Sequence, residues 1–331
     1  DGITGPLGMR DTGYNPSPAL RDRIAATEYQ STPPRGMVHG EVHDENAWSL
    51  GGVAGHAGIF STAGDMAVLA QALLNGGSYG GKRILSRRSV ELMITNFTPE
   101  FPGDDHGLGF ELNQRWYMSG LASPRTAGHT GFTGTSLVID FPSRSFAILL
   151  TNRVHPTRTR GSINQVRRDV AQGLAEALAV RPRHGRDAWF SGVAPDTTAT
   201  LDAPVTVPAT GARLGFDLFI DLESTESLFL ETSTDSGRTW SPVPFTVYDR
   251  GTATHTDGSY TDSGKRRWMR VRAQLEGGDR IVRWRSVTDA TEAGRGVFVD
   301  GIRVTAGPKV LLDAERHPEV LTADGWRAVE R

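Results

Sequence analysis

The stretch Gly128-His129-Thr130-Gly131-Phe132-Thr133-Gly134-Thr135 holds residue types that could do chemistry. Glycines let a backbone approach a ligand closely. Between them stand a titratable imidazole and a hydroxyl. On spacing alone the stretch also fits a tight turn leading into a strand. A second concentration, His39-Gly40-Glu41-Val42-His43-Asp44-Glu45-Asn46, places two histidines, two glutamates and an aspartate close together. Such donors suit a metal. A metallohydrolase using His39 and His43 would want both on one helix face, and Pro33, Pro34, Gly36 and Gly40 argue against that helix. Gly76-Gly77-Ser78-Tyr79-Gly80 satisfies Gly-x-Ser-x-Gly. A nucleophile elbow has a strand before it, whereas helical spacing precedes this match, so it reads as a surface loop.

The elements that would carry these residues mix helix and strand signals up to about residue 180. Met66, Leu69, Ala70, Leu73 and Leu74 recur at helical spacing, with Thr62 as N-cap and Gly76-Gly77 as the stop. A second helix is expected over 86–95, capped by Ser86. A long amphipathic helix over 162–179 carries Ile163, Val166, Val170 and Leu174 on one side. The β-rich runs 135–140 and 145–151, joined by Phe141-Pro142-Ser143-Arg144, predict a hairpin directly after the glycine-rich stretch. Strands covered by helices make this an α+β layer.

Near residues 181–196 the chain turns charged and rich in Pro and Gly, which reads as a linker. This predicts domains at 1–184 and 185–331. Beyond it the runs 212–222, 227–234, 243–248, 268–275, 280–288 and 296–304 are short, alternating and separated by Gly, Asp and Ser turns, the pattern of an all-β jelly-roll sandwich. Arg270 and Arg272 alternate with Met269, Val271 and Ala273, so one face there is basic and wet. Ser233-Thr234-Asp235-Ser236-Gly237-Arg238-Thr239-Trp240 fits an Asp-box, a hairpin turn in which Asp binds the turn amides and Trp packs beneath.

His129-Thr130-Gly131 resembles the third motif of the serine β-lactamase and DD-peptidase superfamily, where a Lys/His-Thr-Gly triplet opens the strand lining the active site. More of the chain fits the class C-like branch. Pro6-Leu7-Gly8-Met9 with Thr12 is similar to the segment that follows the second motif. Val53 through Met66 is similar to a family loop and helix, and Gly107-Leu108-Gly109-Phe110 to a family strand. Residues 1–180 align in order and spacing. The sandwich, from Phe216 through the Asp-box to Ile302, resembles the jelly-roll module of immune-inhibitor-A-type secreted metalloproteases.

The resemblance implies an acyl-transfer hydrolase of the esterase, DD-peptidase or β-lactamase kind, with His129, Thr130, Gly131 and Phe132 on the catalytic strand and the Phe132 N–H as one oxyanion donor. His43, Asp44 and His56 would belong to a pocket-lining loop that contacts substrate. It also implies an extracellular address, a peptide, ester or cell-wall-like substrate, and an accessory sandwich with a carbohydrate or protein ligand. The family acylates a serine in Ser-x-x-Lys and carries a Tyr-x-Asn second motif. Lys82, Lys265 and Lys309 follow Tyr79, Asp262 and Ala306 by three positions, and no tyrosine heads a Tyr-x-Asn. The expectation is therefore the C-terminal portion of a longer enzyme, without acyl-transfer activity as this chain.

Composition narrows the classes. The 331 residues are 37 % hydrophobic and 22 % charged, enough to bury a core. A net charge of −2 predicts no pull toward nucleic acid. No apolar run approaches the roughly 18–20 residues of a membrane span, and the opening Asp1-Gly2-Ile3 does not read as a signal peptide. Without cysteine, thiolate catalysis and Cys-ligated zinc are excluded. No cofactor is expected beyond a structural calcium on Asp217, Asp221, Glu223 and Asp300, acids that read more simply as solvated. A non-catalytic binding protein acting through the sandwich is the alternative to the hydrolase.

Overall fold

The computed structural model describes residues 2–290 and 294–330. Its contacts divide the chain into two compact units, Asp1–Leu174 and Ala175–Arg331.

In the first unit, an antiparallel sheet runs in the order β1 (Glu111–Leu112), β2 (Thr126–Thr130), β3 (Ser136–Asp140), β4 (Ser145–Leu149). The β3–β4 hairpin has the expected turn. Arg144 takes φ 56° there, and the Asp140 carboxylate accepts the Ser143 N–H at 3.1 Å. The helices are α1 (Thr4–Leu7), α2 (Glu45–Ser49), α3 (Ala63–Leu74), α4 (Arg87–Met93), α5 (Arg115–Met118) and α6 (Asn164–Ala177). Thr62 and Ser86 cap α3 and α4 by accepting the N–H groups of Asp65 and Ser89. The buried side of α3, with Ala70, Leu73 and Leu74, meets Val90 of α4 and Ile139 of β3. Leu7 and Met9 pack beside Ala72.

Two segments that resembled separate family motifs are tied together here. The Thr12 hydroxyl donates to Asp65 Oδ2 at 2.8 Å, and the Asp11 N–H donates to the same oxygen at 2.9 Å. Gly76-Gly77-Ser78-Tyr79-Gly80 follows α3 and forms a two-residue pairing, Ser78–Tyr79 against Lys82–Arg83, so it is no nucleophile elbow. The strand expected at Gly107–Phe110 begins only at Glu111, because Gly109 takes φ 84° and Leu108 is exposed.

The second unit is a sandwich of two antiparallel sheets. Its strands are β5 (Asp187–Phe190), β6 (Thr198–Val207), β7 (Ala212–Asp221), β8 (Ser227–Ser233), β9 (Ser241–Pro242), β10 (Phe245–Asp249), β11 (Thr252–His255), β12 (Ser259–Tyr260), β13 (Met269–Leu275), β14 (Gly278–Val287), β15 (Gly296–Ala306), β16 (Lys309–Asp313), β17 (Thr322–Asp324) and β18 (Arg327–Glu330). One sheet has the order β9-β8-β14-β6-β17, with β12 on β8. The other runs β11-β10-β13-β7-β15-β5-β18, with β16 on β15. From β6 to β8, and again from β12 to β15, each connection crosses to the opposite sheet, so sequence neighbours seldom pair. This is jelly-roll connectivity. Alternation fills the space between the sheets with Leu201, Leu214, Leu228, Leu230, Val271 and Trp284.

The stretch around 181–196 is not a free linker. The Arg183 and His184 N–H groups donate to Asp300 Oδ2, and Asp187–Phe190 is a strand of the larger sheet. Its charges are held by carboxylates of the sandwich, which local composition does not reveal. The Asp-box turn forms as expected. Asp235 accepts the Thr239 N–H at 2.9 Å and hydroxyl at 2.7 Å, and Ser236 and Gly237 take positive φ. Hydrogen bonds from Thr239 and Ser233 hold the Asp235 carboxyl at about 2.

Candidate active site

Strand β2 carries the sequence from the buried Thr126 to the exposed His129, and Thr130 closes the strand opposite Ser136. Gly128 is required here, since a Cβ would lie 2.4 Å from the Leu137 carbonyl oxygen and 2.9 Å from the Tyr117 hydroxyl. The following turn is tight. The Gly131 N–H donates to the Thr135 carbonyl at 2.8 Å, and Gly134, at φ 117°, donates to the Gly131 carbonyl at 2.9 Å. Arg167 of α6 fastens the turn from outside, donating through Nη2 to the carbonyls of Gly131 (2.8 Å) and Thr135 (3.2 Å). Burial lowers the Arg167 pKa, with the neighbouring Arg153 adding to the effect.

The Phe132 N–H donates to no acceptor among the described residues, and the residue projects 59 % exposed. This leaves its N–H available as a donor beside the His129 imidazole and the Thr130 hydroxyl. The Phe132 ring stacks on His43 at 5.7 Å and 18°, and the guanidinium groups of Arg153 and Arg158 lie over it at 5.5 and 5.3 Å. Thr130, Gly131, Phe132, Arg153, Arg158 and Arg167, together with Trp116 and Asn164, line a pocket of about 510 Å³.

Behind Phe132 lies a buried polar knot. Glu28, 5 % exposed, accepts from His43 Nε2 at 2.8 Å, from the Arg158 N–H at 2.7 Å and from Arg158 Nε at 2.8 Å. Arg158 also reaches Glu45, which accepts from Gln30 Nε2 at 3.2 Å. Burial by itself would raise the Glu28 pKa. The hydrogen bonds from Arg158 and His43 outweigh it and hold the carboxyl at about 2.

The structure therefore brings His43 to Phe132. Asp44 and His56 form a separate pair, with His56 Nε2 2.9 Å from Asp44 Oδ1. That same oxygen caps α2 by accepting the Ala47 N–H at 2.7 Å. The Ala47 bond, helped by His56, lowers the Asp44 pKa. His129 Nδ1 lies 2.9 Å from its neighbour's carbonyl, Thr130 O, which leaves Nε2 without a partner among the described residues. Glu28, Arg153, Arg158 and Arg167 were not candidates from the sequence. They meet the site across long chain separations, and no local spacing marks them.

The residues weighed for metals have other partners. His39 Nε2 contacts the carbonyls of Arg21 and Ile24, while His43 turns to Glu28. Asp221 is bound by the Arg266 guanidinium at 3.0 Å and the Gly264 N–H at 2.8 Å. Asp217 takes His184 at 2.7 Å, and Asp300 takes the 183–184 backbone. Among the described residues no three His, Cys, Asp or Glu side chains gather as a metal site, and no helix is long and apolar enough to cross a membrane.

Putative D-alanyl-D-alanine carboxypeptidases of Salmonella typhi and Salmonella newport (strain SL254) are 40 % identical to this chain over a match that covers 48 % of it. The chain spans 40 % of the length of these relatives. Among solved structures, TmCBM61 in complex with β-1,4-galactotriose covers 37 % of this chain and 72 % of its own, at 18 % identity and a TM-score of 0.22, too low to establish a shared fold. The Beta-lactamase family model matches residues 1–172, which carry the His129-Thr130-Gly131 strand and its supporting helices, and the chain belongs to that family.

Proposed function

We propose that the first unit supplies one wall of a serine acyl-transfer site that acts on peptide, amide or ester bonds, with D-alanyl peptides of the cell-wall kind as substrate. The observation that carries this reading is the free Phe132 N–H on the turn after His129-Thr130-Gly131, at the mouth of an arginine-lined pocket. In this reading the Phe132 N–H donates to the developing oxyanion, and its worth is that of one preorganised donor, ~3 kcal/mol. Thr130 donates a hydrogen bond to the substrate, and His129 offers its free Nε2 to the same group. His43 sets the Phe132 ring from behind and does not touch substrate. Asp44 and His56 line the neighbouring loop as a substrate-side contact.

The acylating serine and its lysine come from sequence outside these 331 residues, because no Ser-x-x-Lys occurs within them. This chain alone then forms no acyl-enzyme, and the intact polypeptide works outside the cytoplasm, where its substrate lies. The sandwich serves it as an accessory binding module. The test is D-alanine release from a D-alanyl-D-alanine peptide by the longer polypeptide. Release that falls at least 10²-fold in its Thr130→Val form supports the reading. Equal release by native and variant forms overturns it, and no release by either leaves the sandwich as the working part.

A further inference from the structure

Within the second unit, residues 178–186 form a strap that lies on the outer face of the larger sheet. Val180 packs on Phe190, Phe219 and Phe298, and Trp268 Nε1 donates to the Arg181 carbonyl at 2.9 Å. Further along, the N–H groups of Arg183 and His184 both point at Asp300 Oδ2, at 2.5 and 2.8 Å. Asp300 Oδ1 accepts a third N–H, that of Gly301, at 2.7 Å. Asp300 is buried, and three backbone amides hold its charge.

A second carboxyl group reaches the same place. Glu315 Oε1 also accepts the Gly301 N–H, at 3.2 Å, so one donor stands between two acids. The other Glu315 oxygen lies against the strap, since a Cβ on Gly185 would sit 2.5 Å from Oε2. Gly301 is close to the strap as well, for a Cβ there would sit 2.7 Å from the His184 ring. Both glycines take positive φ, 57° at Gly185 and 61° at Gly301. Glu315 is therefore wedged between strap backbone and a buried carboxylate.

Nearby cations do not neutralise this pair. Arg183 and His184 turn to Asp217 of β7, at 3.3 and 2.7 Å, and Arg270 of β13 stands opposite Asp217. Arg186 pairs with Glu330 and Asp187, at 2.6 and 3.7 Å. Arg303 and Arg316 lie 3.6 and 3.9 Å from Asp313. Among the described residues no side-chain cation pairs with Asp300 or Glu315. Asp300 holds three amide donors while Glu315 shares one of them, so a single proton goes to Glu315. Partial burial and the Asp300 carboxylate raise the Glu315 pKa, outweighing the Gly301 N–H and the His184 ring, which lower it.

We propose that Asp300 and Glu315 share one proton and that this proton latches the strap, holding it tightest in mildly acidic solution. With the proton in place, the Glu315 carboxyl donates toward Asp300 and stays against Gly185. When it leaves, two anions meet at one N–H and Glu315 is driven outward, which loosens the grip on residues 183–185. The direction follows from the raised value. The stabilisation is complete below the ordinary 4.5 and is lost as pH rises through the raised one. The latch lies wholly in the second unit and does not depend on the acyl-transfer reading.

The test is hydrogen exchange of the full 331-residue chain from pH 5 to pH 8, read by mass spectrometry and corrected for chemical exchange rates. In the native chain the opening constant of segment 178–187 should rise about fivefold or more across that range, while segment 227–233 of β8 should not follow it. Glutamine is neutral at every pH and can donate to Asp300. Glu315→Gln should therefore stay within about twofold of the native pH 5 value throughout. His184→Gln should keep the native rise, which separates the acid pair from the His184–Asp217 contact. A native segment 178–187 with no rise, a Glu315→Gln chain that keeps the rise, or a His184→Gln chain that loses it would each overturn the proposal.

Discussion

Replacing Glu28 with Gln tests whether the knot behind Phe132 is held by charge. The carboxyl sits at about 2 against an ordinary 4.5, which corresponds to roughly 3 kcal/mol of preference for the charged form. Glutamine keeps one acceptor, so the loss at pH 7 should be ~2–3 kcal/mol, or about 30- to 150-fold in the opening equilibrium of this region. Hydrogen exchange read by mass spectrometry, corrected for chemical exchange rates, would follow the segments 27–30, 36–46 and 126–135 in the full chain. The sign with pH is determined by the depressed value. The stabilisation is complete above pH 4.5 and is lost as pH falls through about 2. The gap between native and Glu28→Gln chains should stay constant from pH 7 to about 5, narrow below pH 4.5 and close toward pH 2. Protection within threefold of native at pH 7, or a gap that widens on acidification, would refute the reasoning.

Three other substitutions probe the frame. Arg167→Met leaves the Gly131 and Thr135 carbonyls without their donor and should cost ~1–3 kcal/mol, seen as a lower thermal midpoint of the first unit. Gly134→Ala forces a Cβ to within 3.1 Å of the Arg153 backbone nitrogen at φ 117°, so its urea midpoint should fall by more than that of Gly161→Ala, where a Cβ meets nothing within 4 Å. Leu201→Ala empties a fully buried position in the sandwich and should destabilise it by ~2–5 kcal/mol, measured by urea unfolding of the second unit.

Local signals account for what the sequence disclosed. Helix α3 announced itself through Thr62, its apolar spacing and the Gly76-Gly77 stop, and the β3–β4 hairpin through its Pro-containing turn. Strand β6 escaped notice although Ala199, Leu201, Ala203, Val205 and Val207 alternate inward, because two of those inward positions are only alanine, and Asp202 and Pro204 dilute the strand signal. Asp187–Phe190 was masked by the charges before it, whose partners Asp217 and Asp300 lie more than thirty and more than a hundred residues away. The site divides the same way. His129 to Phe132 lie in one contiguous run and were legible as a motif. Glu28 and Arg158 meet across 130 residues, and nothing in either neighbourhood foretells the pair. His43, expected as a substrate contact, lies between Glu28 and the Phe132 ring, a setting that its local sequence does not reveal.

The central claim is that this chain holds one wall of a serine acyl-transfer site and not its nucleophile. Intact-mass analysis after exposure to a fluorophosphonate tests it most directly, on the 331-residue chain and on the longer polypeptide that carries a Ser-x-x-Lys segment. The account predicts no adduct on the chain and a single serine adduct on the longer form. A stoichiometric adduct on the chain itself, or none on the longer form, would contradict it.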